Sequence, residues 1–236
     1  MNPPPSTLPD RIAAIQQRML DACRRAHRDP HSVRLLAVSK NHGPDAVRQA
    51  ADCGLRYFGE NRVQEARAKI PESPGHLEWH LVGHLQRNKA PLAVELFPVI
   101  HSVDSLRILD ALEAAADKAG RSLDILLEVN VSGEASKFGF NPADIPLALE
   151  HCSRLHRLAV IGLMTMPPAT RDPEGARPYF AALRDHRDRW RQQSGFPLEE
   201  LSMGMSHDLH IAIEEGSTWV RVGTAIFGER TYGETP

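Results

Sequence analysis

The chain has 236 residues, 42% of them hydrophobic and 25% charged, with a net charge of -2, the balance of an ordinary globular protein. A charge so close to neutral leaves no basic surface for nucleic acid and no acidic block, and no apolar stretch approaches the roughly 20 residues that a bilayer span needs. Three scattered cysteines, Cys23, Cys53 and Cys152, describe no disulfide framework and fit a reducing cytoplasm; the opening Met1-Asn2-Pro3-Pro4-Pro5-Ser6 lacks the basic-then-apolar order of a secretory signal.

Residues 1–8 read as a disordered, proline-rich lead, 9–230 as one domain and 231–236 as a tail. A helix is predicted over 9–28, with Ile12, Ile15, Met19 and Leu20 on its apolar face. Eight short apolar strands then alternate with helices. They are placed at 34–40, 57–61, 78–83, 99–104, 123–130, 158–165, 200–206 and 219–224, and their continuous apolar runs suit strands buried on both faces of a parallel sheet. Helix punctuation fits the intervals. Pro44 sits in a first turn and Gly54 follows its end, Asp104-Ser105 can cap a helix running to Gly120, Asn141-Pro142 opens the next, and Ser206 or Asp208 caps one that stops at Gly216. Unbroken strand-helix alternation with eight strands predicts a single-domain (β/α)8 TIM-type barrel with an extra N-terminal helix. A doubly wound open sheet is the competing fold, and the absence of Gly-x-Gly-x-x-Gly after the first strand weighs against its dinucleotide-binding form.

Barrel enzymes build their sites where strands end. Those ends carry Lys40, Asn61, Gly83-His84, Asp104, Asn130, Met164-Thr165, Ser206 and Gly223-Thr224, a polar and small set. Lys40 closes the run Leu35-Leu36-Ala37-Val38-Ser39. In a desolvated spot an amine's pKa falls and its neutral form attacks carbonyls, so the position suggests Schiff-base chemistry. Ser202-Met203-Gly204-Met205-Ser206 and Val222-Gly223-Thr224 resemble a phosphate cradle of hydroxyls and free backbone N–H groups at the strands where barrels often bind phosphate. Helix capping by Ser206 and routine turn glycines are the plainer alternative. Arg221 interrupts the apolar Trp219-Val220-Arg221-Val222. Either it pairs with an inward carboxylate or it faces a ring nitrogen, as an arginine can in pyridoxal 5'-phosphate (PLP) sites.

A Schiff-base lysine, a phosphate cradle and a ring-nitrogen arginine together describe PLP. The segments Ala37-Val38-Ser39-Lys40, Phe58-Gly59-Glu60-Asn61 with Val63-Gln64-Glu65, Trp79-His80 through Gln86, Asn88-Lys89, Gly162-Leu163-Met164, 201–206 with Asp208, and 220–228 are in the order of a known family. The chain resembles the PLP homeostasis protein family, itself similar to the N-terminal barrel of alanine racemases. The resemblance implies that Lys40 forms the internal aldimine and that Asn61 sits beside the ring hydroxyl. It implies that Met164 lines the ring face and that Ser206, Gly223 and Thr224 hold the phosphate, with Ser202 and Met203 nearby. Arg221 would face the ring nitrogen. The family is thought to bind PLP and buffer its supply to apo-enzymes, with no established reaction of its own. His207, His210 and Arg87 stand in variable places.

Two other functions use the same parts. A PLP-dependent amino-acid racemase needs a second acid/base group on the opposite ring face, and only residues 225–236 remain to supply one, with Tyr232 a poor candidate in a short tail. A Schiff-base aldolase would use the lysine and the phosphate site without a resident cofactor. The carrier is expected over both, as a monomer. Weaker features have plainer readings. His80 and His84 are expected as satisfied or surface histidines, His207 and His210 as solvated ones, and Cys53 as a helix-end packing residue. Arg24-Arg25 and the arginines of 184–191 are expected as solvated helical charge. Glu60 is expected to orient Lys40 or Asn61, or to pair with an arginine. The loop 166–175 is a candidate lid.

Overall fold

The computed structural model describes residues 7–134 and 136–228; the proposed tail and its Tyr232 lie outside them. Eight parallel strands close a barrel in sequence order, β1 pairing with both β2 and β8. The strands are β1 (Arg34–Val38), β2 (Tyr57–Glu60), β3 (Glu78–Leu81), β4 (Val99–Val103), β5 (Leu123–Glu128), β6 (Leu158–Met164), β7 (Glu200–Ser202) and β8 (Trp219–Val222). The open-sheet alternative is thereby excluded. Every strand begins at the residue expected from sequence and ends one to four residues sooner. The residues past each strand end stand in the loops of the C-terminal mouth. Some, such as Ser39 and Thr165, keep one backbone bond to the neighbouring strand, whereas Lys40, Asn61, Ser206, Gly223 and Thr224 line a cavity there.

The helices are α1 (Leu8–Arg25), α2 (Pro44–Asp52), α3 (Val63–Lys69), α4 (Ala90–Leu96), α5 (Leu106–Ala119), α6 (Ile145–Cys152), α7 (Arg177–Ser194), α8 (Leu209–Glu214) and α9 (Thr224–Phe227). Helix α1 starts at Leu8 because Thr7 and Asp10 form a capping box, and it stops at Arg25, three residues before the sequence estimate. It buries Ile12, Ile15 and Met19, whereas Leu20, one residue round the helix from Met19, is exposed. It packs against α8 and α9, so the extra N-terminal helix covers the elements that follow β7 and β8. Gly120 ends α5 in a left-handed conformation, φ 62°, and Cys53 caps the end of α2 as expected.

Most of the core lies between the strands and the helical ring. The barrel interior holds two smaller apolar groups, Leu36, Val38, Val82 and Trp219 in one and Val99, Leu126 and Met164 in the other. Between them the interior is polar: His80, His101, Ser202 and Arg221 are all buried there.

Candidate active site

The chain leaves β1 through a tight turn closed by the His42 N–H donating to the Ser39 carbonyl at 3.0 Å. Lys40 is the second residue of this turn. Asn41 follows in the left-handed region, φ 64°, a conformation asparagine tolerates better than most residues, and its N–H donates to Glu65 Oε1 at 2.5 Å. Glu65 and Lys69 lie one turn apart on α3. Lys69 is buried, and its Nζ donates to the Ser39 carbonyl at 2.7 Å, to Glu60 Oε1 at 2.6 Å and to Glu65 Oε1 at 2.9 Å. The Ser39 hydroxyl donates to the same Glu60 oxygen at 2.6 Å. Both neighbours of Lys40 are therefore tied to one cation. Glu60 pairs with this lysine, not with an arginine. Burial pushes its carboxyl up from the ordinary value, and the Lys69 and Ser39 hydrogen bonds work against that rise.

One strand beyond β8 from Lys40, β7 ends at Ser202, and Gly204 turns the chain at φ 91°. A Cβ at Gly204 would stand 2.4 Å from Ala212 Cβ, so only glycine lets the loop lie this close to α8. The Met205 N–H donates to Asp208 Oδ1 at 2.7 Å, and Asp208 occupies the N-cap position of α8. Ser206 is thus not the helix cap. Among the described residues, the backbone N–H groups of Ser206, Gly223 and Thr224 find no hydrogen-bond acceptor. Three donors and two hydroxyls left over at one place make a fit for an anion.

Lys40, Asn61, Ser206, Arg221, Gly223 and Thr224 line one cavity of about 160 Å³ at the C-terminal mouth, with Val38, Val82, Met166 and Met205 as its apolar wall. Lys40 is exposed at the rim, which corrects the expectation of a desolvated amine. It sits beyond the last paired residue of β1, where only a bound molecule would cover it. Asn61 Oδ1 is buried without a partner, an acceptor left for a ligand hydroxyl. A Cβ at Gly83 would come within 2.3 Å of the Asn61 carbonyl oxygen, so glycine there lets the β3 loop close on Asn61 and hold it.

Arg221 is buried, its Nη1 donating to Ser202 Oγ at 2.7 Å and its Nη2 to the Thr165 carbonyl at 3.0 Å. Among the described residues no carboxylate forms an ion pair with it, so the inward ion pair that the sequence left open is not what satisfies it. Burial lowers its pKa to about 10, against the raising effect of Glu128 and Asp208. Glu128, at the end of β5, is raised to about 7, first by burial and then by Asp104, with Arg221 opposing.

Three of the expected residues stand apart from the cavity. Met164 is packed inside the barrel with Val99 and Leu126, Met203 belongs to the outer core, and Ser202 meets Arg221 and not the cavity. Met166 and Met205 supply the methionine wall instead. Each lies beyond the end of its strand, one residue past the strand end that the sequence placed at Thr165 in one case and inside the proposed cradle in the other. Lys69 escaped the sequence reading too, although Glu65 and Lys69 at i and i+4 carry the signature of a paired helix face. Asn130 closes its own loop by bonding Glu134 and Ser132. His84 bonds Asp104 at 2.7 Å and stacks on Phe138. His210 is half-buried with its Nδ1 unpartnered, not solvated as expected. Of the arginines expected as solvated charge, Arg24, Arg25, Arg184, Arg187 and Arg191 are held in ion pairs, such as Arg25 with Glu214 and Arg184 with Asp185, and Arg189 bonds His186.

The closed parallel barrel belongs to a described class: the model of the alanine racemase N-terminal domain family matches residues 11–231. Among the similar proteins is a pyridoxal phosphate homeostasis protein of Pseudomonas aeruginosa, 44% identical over 97% of this chain and 98% of its own. Another, from Aquifex aeolicus, is 42% identical over 94% of this chain and 98% of its own. PipY of Synechococcus elongatus with PLP bound superposes with a TM-score of 0.81 at 40% identity, covering 94% of this chain and all of that one. The chain belongs to the pyridoxal phosphate homeostasis protein family. An alanine racemase of Clostridium difficile, 12% identical with a TM-score of 0.71, shares the fold.

Proposed function

We propose that this protein binds PLP through Lys40 and holds it for intracellular homeostasis, supplying it to apo-enzymes. The observation that carries the reading is the convergence of Lys40, Asn61, Arg221 and the Ser206–Gly223–Thr224 donors on one cavity. PLP supplies an aldehyde that condenses with a primary amine and a phosphate that anchors it. In this assignment Lys40 is the amine, and the free N–H groups and hydroxyls of Ser206, Gly223 and Thr224 hold the phosphate. Asn61 Oδ1 takes the ring hydroxyl, Arg221 donates toward the ring nitrogen, and Met166 and Met205 cover the apolar part of the ring. Because arginine keeps its proton, the ring nitrogen opposite it stays unprotonated, and the ring is a weak electron sink. The working form is taken as a monomer, and three free cysteines fit a reducing cytoplasm. No helix among the described residues is long and apolar enough to cross a membrane.

PLP titration followed by visible absorption tests the reading. The wild type gains a band on addition of PLP, and Thr224→Val, which removes one hydroxyl at similar size, requires about tenfold more PLP to reach it. A wild type that gains no band rejects the assignment. In heavy water the loaded protein leaves the Cα protons of amino acids in place; rapid, Lys40-dependent exchange would favour the racemase.

A further inference from the structure

His80 on β3 and His101 on β4 are buried in the barrel interior, and neither lines the cavity. Their ring nitrogens lie in an unbroken series of contacts. Glu78 Oε1 is 2.9 Å from His80 Nε2. His80 Nδ1 is 2.9 Å from His101 Nε2, and His101 Nδ1 is 2.8 Å from Ser202 Oγ. Ser202 Oγ accepts from Arg221 Nη1 at 2.7 Å. The series starts at the N-terminal end of β3, where Glu78 lines a second cavity of about 210 Å³ with Arg34, Asp124 and Glu200. It finishes at the guanidinium that faces the first cavity.

Donor and acceptor counting allows one direction through it. A guanidinium only donates and a carboxylate only accepts. Ser202 accepts from Arg221, so its own proton is free for His101 Nδ1. His101 then holds its proton on Nε2 and gives it to His80 Nδ1, and His80 gives its Nε2–H to Glu78. The opposite tautomers would set a lone pair of His80 against the Glu78 carboxylate. A doubly protonated ring would put a second cation in the same interior as Arg221 and Arg34. Burial holds both rings below the ordinary imidazole range, and for His80 the opposing pull of Glu78 does not overcome it. The charged groups around His80 are Glu78, Arg34 and Asp124, and those around His101 are Arg221 and Arg34; the Trp219 ring packs against both imidazoles.

We propose that Glu78, His80, His101 and Ser202 form a one-way hydrogen-bond column through the barrel, each imidazole carrying its single proton on Nε2, and that this column positions the Arg221 guanidinium. The Thr165 carbonyl holds the second arm of the guanidinium, so the group cannot swing, and its remaining N–H bonds keep their aim into the cavity. Ser202 and His101 are positioning residues, which accounts for a serine expected at the cofactor standing behind the arginine instead. What Arg221 then meets rests on the PLP reading above; the column itself does not.

The test has two arms. The full chain, labelled with 15N at histidine and free of PLP, is followed by long-range 1H–15N correlation spectra from about pH 6 to about pH 8, with the two rings assigned by their contacts to Trp219. Both rings are expected neutral, protonated on Nε2 and unchanged over the range. Either ring found as imidazolium, or protonated on Nδ1, overturns the column. In the second arm Ser202→Ala is expected to bind PLP about tenfold more weakly and to displace the visible band of the loaded protein. Unchanged affinity and band overturn the positioning role. A wild type that takes up no PLP would reject the reading of the cavity and leave the histidine spectra to decide the column.

Discussion

Glu128 shows how much one carboxyl can cost where a site is being built. It is buried at the end of β5 with a pKa raised from 4.5 to about 7, and no hydrogen bond from the described residues offsets its burial. The folded chain therefore holds the proton more tightly than the unfolded chain does. Stability falls as pH rises from about 5 to about 7 and stays reduced above that, by up to about 3 kcal/mol. Glu128→Gln, which mimics the protonated form, is expected to raise the melting temperature at about pH 8 and to leave it nearly unchanged at about pH 5. Thermal melts of both proteins across that range check this, and a difference independent of pH would contradict it. Lys40 is the opposite case. It is exposed at the rim, and its reactivity waits on the molecule that covers it.

At the scale of elements, the Lys69 cluster joins β1, β2 and α3 beneath the Lys40 turn. Removing one partner of a buried pair strands the other charge, at a cost of about 3–5 kcal/mol. Lys69→Met is expected to destabilise by that amount in urea denaturation, and the double variant with Glu60→Leu to recover most of it. A single substitution costing under about 1 kcal/mol would mean the cluster is solvated in solution. The same elements show what could be read in the sequence. An apolar run opens within one residue of each strand's first residue, so all eight strand starts were legible. Strand ends were not, because polar residues such as Asn61, Thr165 and Ser206 continue the local pattern after the ladder has stopped. Six of the nine expected cofactor residues reach one cavity, because position at a strand end is a property of the chain order. Which way a side chain faces depends on the register of the closed sheet. That is why Met164, Ser202 and Met203 could not be distinguished from Met166 and Met205 beforehand, and why the pairing of Lys69 with Glu60 went unread.

At the scale of the whole molecule, closure makes every strand depend on both neighbours, and α1 packs on the elements that follow the last two strands. The three tryptophans report from different layers: Trp219 inside the barrel, Trp79 in the core outside the strands and Trp190 on α7, all buried. Unfolding followed by tryptophan fluorescence is expected to coincide with unfolding followed by far-ultraviolet circular dichroism; two separated transitions would show that the barrel comes apart in pieces. Retention of PLP depends on a single covalent contact, which the geometry of the site assigns to one amine. Loading the protein with PLP, reducing with borohydride and mapping the labelled peptide by mass spectrometry tests it most directly. The expected result is a pyridoxyl adduct on Lys40 and none at stoichiometric level in Lys40→Ala; label on other lysines, with equal uptake by the variant, would contradict it.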